Sequence, residues 1–201
     1  LFETFQFDTI YHEHLRYYSL HSLKYLLELN NLEIFEAQQI STHGGSIRIF
    51  ASKKGKYNIN DSVKKILSIE KNIISLKELQ VFSEKINMKK NKLLNLIKNI
   101  NKNNQKIYGI GAAARASTLL NYVKLNDYID KVLEVGSSKK IGFYMSGTKI
   151  PICDEEVLVH EKPDYLLLLS WHIADILIPK LREKGYKGKF IVPLPDPKVI
   201  N

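Results

Sequence analysis

The sequence predicts an α/β protein in which a helix, a β-hairpin and a helical connector precede a three-layer domain. Two patterns carry this prediction. Short apolar segments alternate with helical patterns over residues 105–201, which is typical of a parallel sheet covered by helices. Before them, over residues 59–104, apolar residues recur at helical spacing among many lysines, which indicates amphipathic helix.

The composition limits the class of protein. Of the 201 residues, 44% are hydrophobic and 25% charged, so the chain can bury a core and is not of the disordered kind. The only cysteine, Cys153, excludes an internal disulfide and a cysteine-rich zinc cluster within this chain. No apolar run reaches the roughly 18 residues of a membrane span, and no secretion signal is recognisable. We therefore expect a soluble, cytoplasmic protein without a membrane partner.

A net charge of +9 raises the question of nucleic-acid binding. Many lysines are spread over residues 53–106, interleaved with asparagine. No basic strip with interleaved aromatic residues and no known nucleic-acid module accompanies them. We interpret the charge as a solvated lysine-rich surface and expect no nucleic-acid partner.

The first half of the chain predicts a strand end, a helix, a hairpin and a helical stretch. The apolar residues 5–11 are β-prone. Ser19 precedes leucines at helical spacing and predicts an N-cap, with the helix ending near Asn30. The remaining elements expected are strands at residues 32–42 and 46–52, joined at Gly44 and Gly45, and helix over residues 61–104 with a break near 72–75.

The second half predicts alternating strands and helices. Residues 165–170 form a continuous apolar run, as in strands buried inside a parallel sheet. The other expected elements are strands at residues 106–111, 131–135, 150–152 and 190–193, and helices at 112–124 and 173–184, the latter containing Pro179.

The most distinctive local pattern is the polar run Tyr11-His12-Glu13-His14. Histidine acts as a general base near neutral pH, and a neighbouring carboxylate can fix its tautomer. In an extended segment His12 and His14 share a face, which is also a metal-ligand spacing. The other histidines, His21, His43, His160 and His172, offer no second such pair, so a metal hydrolase is the minor reading.

A second pattern, Gly109-Ile-Gly111-Ala-Ala-Ala114, is close to the turn that binds pyrophosphate in dinucleotide folds. Glu134 ends the next predicted strand, where a ribose-binding acid would lie. Small residues at such a turn also serve packing, so both readings stay open.

Further candidates are single residues. His43 neighbours the hairpin turn, and Trp171 follows a strand at the end where open α/β sheets bind ligands. Arg115, Lys149 and Arg48 are able to meet phosphate. A tryptophan in this place is as often a core residue, and each of the others is more often an ordinary turn or surface residue.

Taken together, the motifs resemble one family, the S-adenosylmethionine-dependent C-methyltransferases of nucleotide-linked keto-deoxysugars. The resemblance spans nearly the whole chain and covers five motifs in their usual order. They are Phe7-Asp-Thr-Ile-Tyr-His-Glu-His14 with Tyr17-Tyr-Ser-Leu20, Thr42-His-Gly-Gly-Ser-Ile-Arg48, Tyr108-Gly-Ile-Gly-Ala-Ala-Ala114, Gly142-Phe-Tyr-Met-Ser-Gly-Thr-Lys-Ile-Pro-Ile152, and Pro163-Asp-Tyr165 through Ser170-Trp171.

The resemblance implies a domain map. Residues 1–58 would be the terminal helix and hairpin of a class I methyltransferase domain, 59–104 the connector, and 105–201 a Rossmann-like C-terminal domain. The family's zinc-binding N-terminal domain and its glycine-rich loop for S-adenosylmethionine are not found in these residues. Because the chain opens at Leu1 inside structured sequence, we expect a piece of a longer enzyme that is inactive alone and whose partner is the other half.

The resemblance also implies roles. His14 would remove the proton next to the ketone, Tyr11 and Glu13 would orient or stabilise the enolate, and His12 would support them. The predicted substrate-binding residues for the nucleotide-diphosphate sugar are Arg115, Lys149, Tyr108, Trp171 and His43.

Several positions depart from the family pattern. Arg115 and Lys149 stand where the family tends to have lysine and histidine, and Glu134-Val-Gly-Ser137 replaces its Asp and following Asn-Pro. These changes put the substrate in question. Two other readings remain: a nicotinamide-dependent oxidoreductase module using Gly109, Gly111 and Glu134, and a non-catalytic interaction domain.

Overall fold

The computed structural model describes residue 2, residues 4–42 and residues 45–201. The chain has an α/β architecture and divides into two compact units. The first contains Phe2 and the described part of His14–Ser83, and the second contains residues 4–13 and Glu84–Asn201. Across the described ranges, no helix combines the length and apolar character needed to cross a bilayer.

The first unit is an antiparallel hairpin packed against helices. Its core is formed by Leu20, Ile34 and Ala37 together with Val63 and Ile66, all nearly inaccessible to solvent. Its elements are α1 (Leu20–Glu28), β1 (Leu32–Ile40), β2 (Ser46–Lys53), α2 (Asp61–Ile73) and the first residues of α3 (Leu76–Lys102).

Helix α1 begins where the sequence predicts. The Ser19 side chain accepts a hydrogen bond from the Ser22 amide, and the Ser22 hydroxyl accepts one from the Ser19 amide, which completes a capping box. Glu70 of α2 supplies a second cap, since its carboxylate accepts hydrogen bonds from the amides of Leu20 (2.6 Å) and His21 (3.0 Å). The helix start is therefore held from within and from a neighbouring helix.

The second unit is a six-stranded sheet with strand order β5-β4-β3-β6-β7-β8. The first five strands in this order are parallel, and β8 pairs antiparallel with β7 at the edge. The elements are β3 (Ile107–Ile110), α4 (Ala114–Val123), β4 (Val132–Glu134), β5 (Ile152–Asp154), α5 (Val157–His160), β6 (Tyr165–Leu168), α6 (Ala174–Glu183), β7 (Lys189–Val192) and β8 (Lys198–Ile200).

The strand order reverses direction between β3 and β6. The crossovers from β3 to β4 and from β6 to β7 run in opposite directions across the sheet. Because such parallel crossovers are right-handed as a rule, this order puts α4 and α6 on opposite faces, as in Rossmann-like folds. At the carboxyl end of β3 the chain turns at Gly111, with φ of +96°, and a Cβ there would collide with the Ser170 hydroxyl that follows β6. Glycine at position 111 therefore lets the chain after β3 pass close to Ser170.

One predicted element is wrong. Residues 5–11 do not form a strand; a single 3₁₀ turn, Phe7–Thr9, stands there. Consecutive side chains of a strand point to opposite faces, whereas Phe7 and Asp8 are both buried (6% and 0% exposed) in the same unit. The 3₁₀ turn allows both side chains to be buried.

The other predicted elements are present, but the strand expected at residues 150–152 lies two residues later, at Ile152–Asp154. The expected break between the two long helices falls at residues 74–75. Helix α1 ends at Glu28, slightly before Asn30. The short elements α5 and β8 were not predicted, and the Gly44 side of the predicted hairpin turn lies outside the described residues.

Candidate functional site

Within the second unit, residues 6–13 pack along one face of α4. The contacting residues Arg115, Thr118 and Tyr122 are spaced three and four apart, so they share a helix face. The Thr118 hydroxyl donates to the carbonyl of Ile10 at 3.3 Å, and the Phe7 ring lies 4.9 Å from the Tyr122 ring between centroids. We call residues 6–13 the docked segment.

Asp8 is the buried anchor of the docked segment. Arg115 donates to both of its carboxylate oxygens, Nε to Oδ2 and Nη2 to Oδ1, each at 3.0 Å. The indole Nε1 of Trp171 donates to Oδ2 at 2.8 Å. Arg115 Nη2 also donates to the side-chain oxygen of Gln6 at 3.3 Å, and its guanidinium lies 5.3 Å from the Trp171 ring centre. Asp8 thus sits at the reversal point of the sheet, between a residue after β3 and one after β6.

A cleft of about 850 Å³ lies where the docked segment meets the carboxyl ends of β3 and β4. Three of its walls come from different parts of the second unit. The lining residues are Tyr11, His12 and Glu13 of the docked segment, Ala112–Ala114 with Ser117, Thr118 and Asn121 at the start of α4, and Lys139, Lys140, Phe143–Ser146 and Ile152 beyond β4.

The loop beyond β4 is tied to the helix opposite. The Asn121 side chain donates to the carbonyl of Ser146 at 2.9 Å, and Lys140 Nζ donates to the carbonyl of Ala112 at 2.7 Å. Lys140 Nζ also lies 3.8 Å from the Glu134 carboxylate. These contacts hold Lys140 at the rim of the cleft, next to Lys139, which also lines it.

The polar side chains of the docked segment are accessible. The side chains of His12 and Glu13 are 82% and 69% exposed, with His12 Nε2 at 3.9 Å from Glu13 Oε1. Tyr11 is half-buried, with its ring 6.1 Å from that of His12. Each of these groups is therefore able to meet a ligand in the cleft.

His14 belongs to the first unit, whereas Tyr11, His12 and Glu13 belong to the second. Its exposed ring lies 6.3 Å from the ring of Tyr17. The unit boundary therefore passes through the predicted catalytic motif.

Glu134 stands where a ribose-binding acid would lie, but in the structure its carboxylate bonds the protein backbone. Its carboxylate accepts hydrogen bonds from the amide of Ala112 (2.9 Å) and from its own neighbour Val135 (3.2 Å). The carboxylate that would bind the ribose of a dinucleotide is thus used to fix the backbone directly after Gly111. Within the described ranges, no three His, Cys, Asp or Glu side chains converge to hold a metal ion.

The predicted substrate-binding residues are dispersed. Arg115 and Trp171 are buried and bonded to Asp8. Lys149 lines a separate cleft of about 510 Å³ with Asn126, Asp127, Gly147 and Thr148. His43 lies outside the described residues.

Tyr108 lies towards the amino end of β3, away from the 850 Å³ cleft. Its hydroxyl donates to Glu161, which also accepts two hydrogen bonds from Lys131 Nζ at 3.0 and 2.8 Å. Burial, with the Glu161 hydrogen bond, raises the pKa of the Tyr108 phenol far above its usual value. The hydrogen bonds from Lys131 and then Tyr108 lower the pKa of the Glu161 carboxyl. The three residues form a polar cluster bridging neighbouring strands.

Sequence reasoning missed several residues of the cleft rim. Lys139 and Lys140 are exposed, as are the aromatic rings of Phe143 (66%) and Tyr144 (63%). The available signal was their place in the loop that follows a parallel strand, because such loops gather at the ligand-binding edge of the sheet. Asn121 gave no signal, because its partner lies across the cleft.

The family model of the C-methyltransferase C-terminal domain matches residues 41–195, which is more than half of the chain. The chain belongs to this family. It is similar to the C-methyltransferase NovU of Streptomyces niveus, with 31% identity over 200 residues, which cover 98% of the chain and 48% of that protein. The chain therefore spans about half the length of the curated relative it matches. Family membership confirms the resemblance drawn from the motifs, and the sheet confirms the predicted Rossmann-like fold.

Proposed function

We propose that this chain is the substrate-side part of an S-adenosylmethionine-dependent C-methyltransferase that acts on a nucleotide-linked keto-deoxysugar. One observation carries the proposal: the docked segment places Tyr11, His12 and Glu13 at a cleft whose opposite rim carries Lys139 and Lys140. Groups able to exchange a proton suit a substrate with an acidic C–H bond. Two neighbouring lysines suit the diphosphate group of the same substrate. The C-methyltransferase family and the NovU relative support this class of reaction.

The proposed chemistry begins with removal of the proton next to the ketone. His14 takes the proton on an imidazole nitrogen, and the electron pair of the C–H bond passes into the enolate. Tyr11 and Glu13 orient the sugar and stabilise the enolate oxygen, with His12 in support. The methyl donor, held elsewhere in the complete enzyme, would supply the electrophilic methyl carbon to which the enolate adds. The base needs a neutral imidazole at the start of each turnover.

The residues of the second unit do not fit the methyl donor. A donor bound in the Rossmann manner needs a free acid for its ribose, and Glu134 is engaged by the Ala112 and Val135 amides. We therefore assign the donor site, and the zinc site that the resemblance implies, to parts of the enzyme other than these 201 residues. This assignment predicts that the chain alone transfers no methyl group.

Calorimetric titration of the 201-residue chain tests the proposal. We expect a thymidine-diphosphate-linked sugar to bind, and S-adenosylmethionine and NADH to give no heat of binding. Removing one charged phosphate contact by Lys139→Ala should weaken sugar-nucleotide binding about 10-fold, since such contacts contribute about 1.5 kcal/mol. Lys187→Ala, which alters an exposed lysine before β7, is the matched control. Tight binding of S-adenosylmethionine or NADH would contradict the proposal.

A further inference from the structure

We propose that Asp8, Arg115 and Trp171 form a positioning device that fixes the docked segment, and with it Tyr11, His12 and Glu13, at the cleft. The three residues touch no proposed substrate group; they act through the segment. The catalytic consequence of this device rests on the proposed function, whereas the docking itself does not.

The geometry of the cluster specifies one orientation of the segment. Two parallel hydrogen bonds from Arg115 lock the plane of the Asp8 carboxylate, and Trp171 adds a third bond from another direction. A planar guanidinium paired in this way imposes direction as well as attraction, which a single-point contact such as a lysine does not. The Asp8 side chain, which is fully buried, reaches both partners.

A second contact prevents the segment from pivoting about Asp8. The Thr118 hydroxyl holds the carbonyl of Ile10, two residues after Asp8 and directly before Tyr11. Phe7, on the other side of Asp8, is buried against Tyr122. The backbone is thus fixed on both sides of the anchor, up to the first residue that faces the cleft.

The energetics favour a role in orientation over one in stability. Burying two charges costs several kcal/mol per ion, and their attraction returns about that amount when the geometry is good. An apolar pair of similar volume would stabilise the contact at least as well. A charged pair in this place is therefore best explained by the single arrangement that it enforces.

The cluster also fills the place where related sheets bind ligands. The reversal point between β3 and β6 is the usual crevice of an open parallel sheet, and here Asp8 lies between Arg115, after β3, and Trp171, after β6. The second unit therefore uses this crevice to hold part of its own chain, and the proposed ligand cleft lies beside it.

The docking has a direct spectroscopic readout, because Trp171 is the only tryptophan in the sequence. The ¹⁵N-labelled chain gives one indole N–H resonance, and a hydrogen bond to a buried carboxylate should slow its exchange with solvent. We expect Asp8→Asn to speed indole exchange at least 10-fold, and Arg115→Gln to do the same. Asp130→Asn, an exposed aspartate before β4, should leave exchange unchanged and is the matched control. Unchanged indole exchange in Asp8→Asn would overturn the docking.

The catalytic consequence is measured in the complete enzyme. Misplacing reacting groups by about 1 Å can cost about 100-fold in rate, so Asp8→Asn should lower kcat by 10-fold to 100-fold. The pH at which the rate rises should not move, since the base is untouched, and the KM for S-adenosylmethionine should stay the same. Arg115→Lys, which keeps the charge without the fork, should fall between wild type and Arg115→Gln. The double variant Asp8→Asn/Arg115→Gln should be no slower than the slower single variant.

Three results separate the claims. Faster indole exchange with unchanged kcat in Asp8→Asn would overturn the positioning role. Additive losses in the double variant would also overturn it, because they would mean that Asp8 and Arg115 act separately. A complete wild-type enzyme that transfers no methyl group would contradict the proposed function, and the indole exchange of the chain would still report on the docking.

Discussion

At the scale of single residues, Glu161 shows how the ends of the parallel strands are joined. It accepts hydrogen bonds from Lys131, before β4, and from Tyr108 of β3. Because these bonds favour the ionised carboxylate, the pKa of Glu161 in the folded chain lies below its usual value. Folding therefore gains from this carboxylate only while it is ionised.

This shift predicts a pH-dependent stability. The lowered pKa of Glu161 contributes stability that is fully present above the unfolded value, about 4.3, and is lost as the pH falls through the folded value. In urea unfolding, Glu161→Gln should lower the midpoint at pH 7, and the difference from wild type should shrink below pH 4. Glu183→Gln, at an exposed carboxylate, is the control. A difference that grew as the pH fell would contradict the assignment.

The residues of the proposed site show what sequence reasoning reaches. The run Tyr11–His14 stands out in the sequence because so many polar groups in a row need partners; Tyr11, His12 and Glu13 line a cleft, and His14 is not among its lining residues. The anchor was not foreseen, because the partners of Asp8 lie 107 and 163 residues away. Arg115 and Trp171 look like ligand-binding residues by type and place, and only the fold shows that their bonds are made within the chain.

At the scale of elements, local patterns predicted most of the fold. The periodicity of apolar residues predicts the break between α2 and α3, and the apolar run predicts β6. The docked segment is different: its apolar residues suggest a strand, yet the burial of both Phe7 and Asp8 selects a turn. Burial of an aspartate depends on a distant arginine, which a local pattern does not contain.

The cap that Glu70 forms on helix α1 predicts a second effect on stability. Glu70→Ala removes the acceptor for the amides of Leu20 and His21, and the Leu20 residue is fully buried. We expect the free energy of unfolding of the first unit to fall by about 1–3 kcal/mol, measured by urea denaturation followed by circular dichroism. Glu70→Gln, which keeps one oxygen, should lose less.

The matched control for this change is Glu28→Ala, which breaks the exposed pair with Lys24 on the same helix. Such surface pairs contribute about 0.3–0.5 kcal/mol. If Glu28→Ala and Glu70→Ala cost the same, the cap from α2 would have no special role.

At the scale of the whole molecule, the unit that carries the site is discontinuous in sequence. The family match begins at residue 41, yet residues 4–13 pack into the same unit as Glu84–Asn201. A fragment cut at residue 41 would lose Asp8, the carboxylate to which both Arg115 and Trp171 donate hydrogen bonds. Any functional description of the C-terminal domain therefore has to include the docked segment.

We propose that the run beginning at Tyr11 performs proton abstraction next to a ketone, with His14 as base. The most direct measurement is hydrogen exchange at that carbon by the complete enzyme in D₂O without methyl donor, followed by NMR of a thymidine-diphosphate-linked keto-deoxysugar. We predict exchange by the wild type and by the control His160→Ala, an exposed histidine at the end of α5. His14→Ala should slow exchange on the order of 100-fold, whereas exchange at the wild-type rate in His14→Ala would contradict the claim.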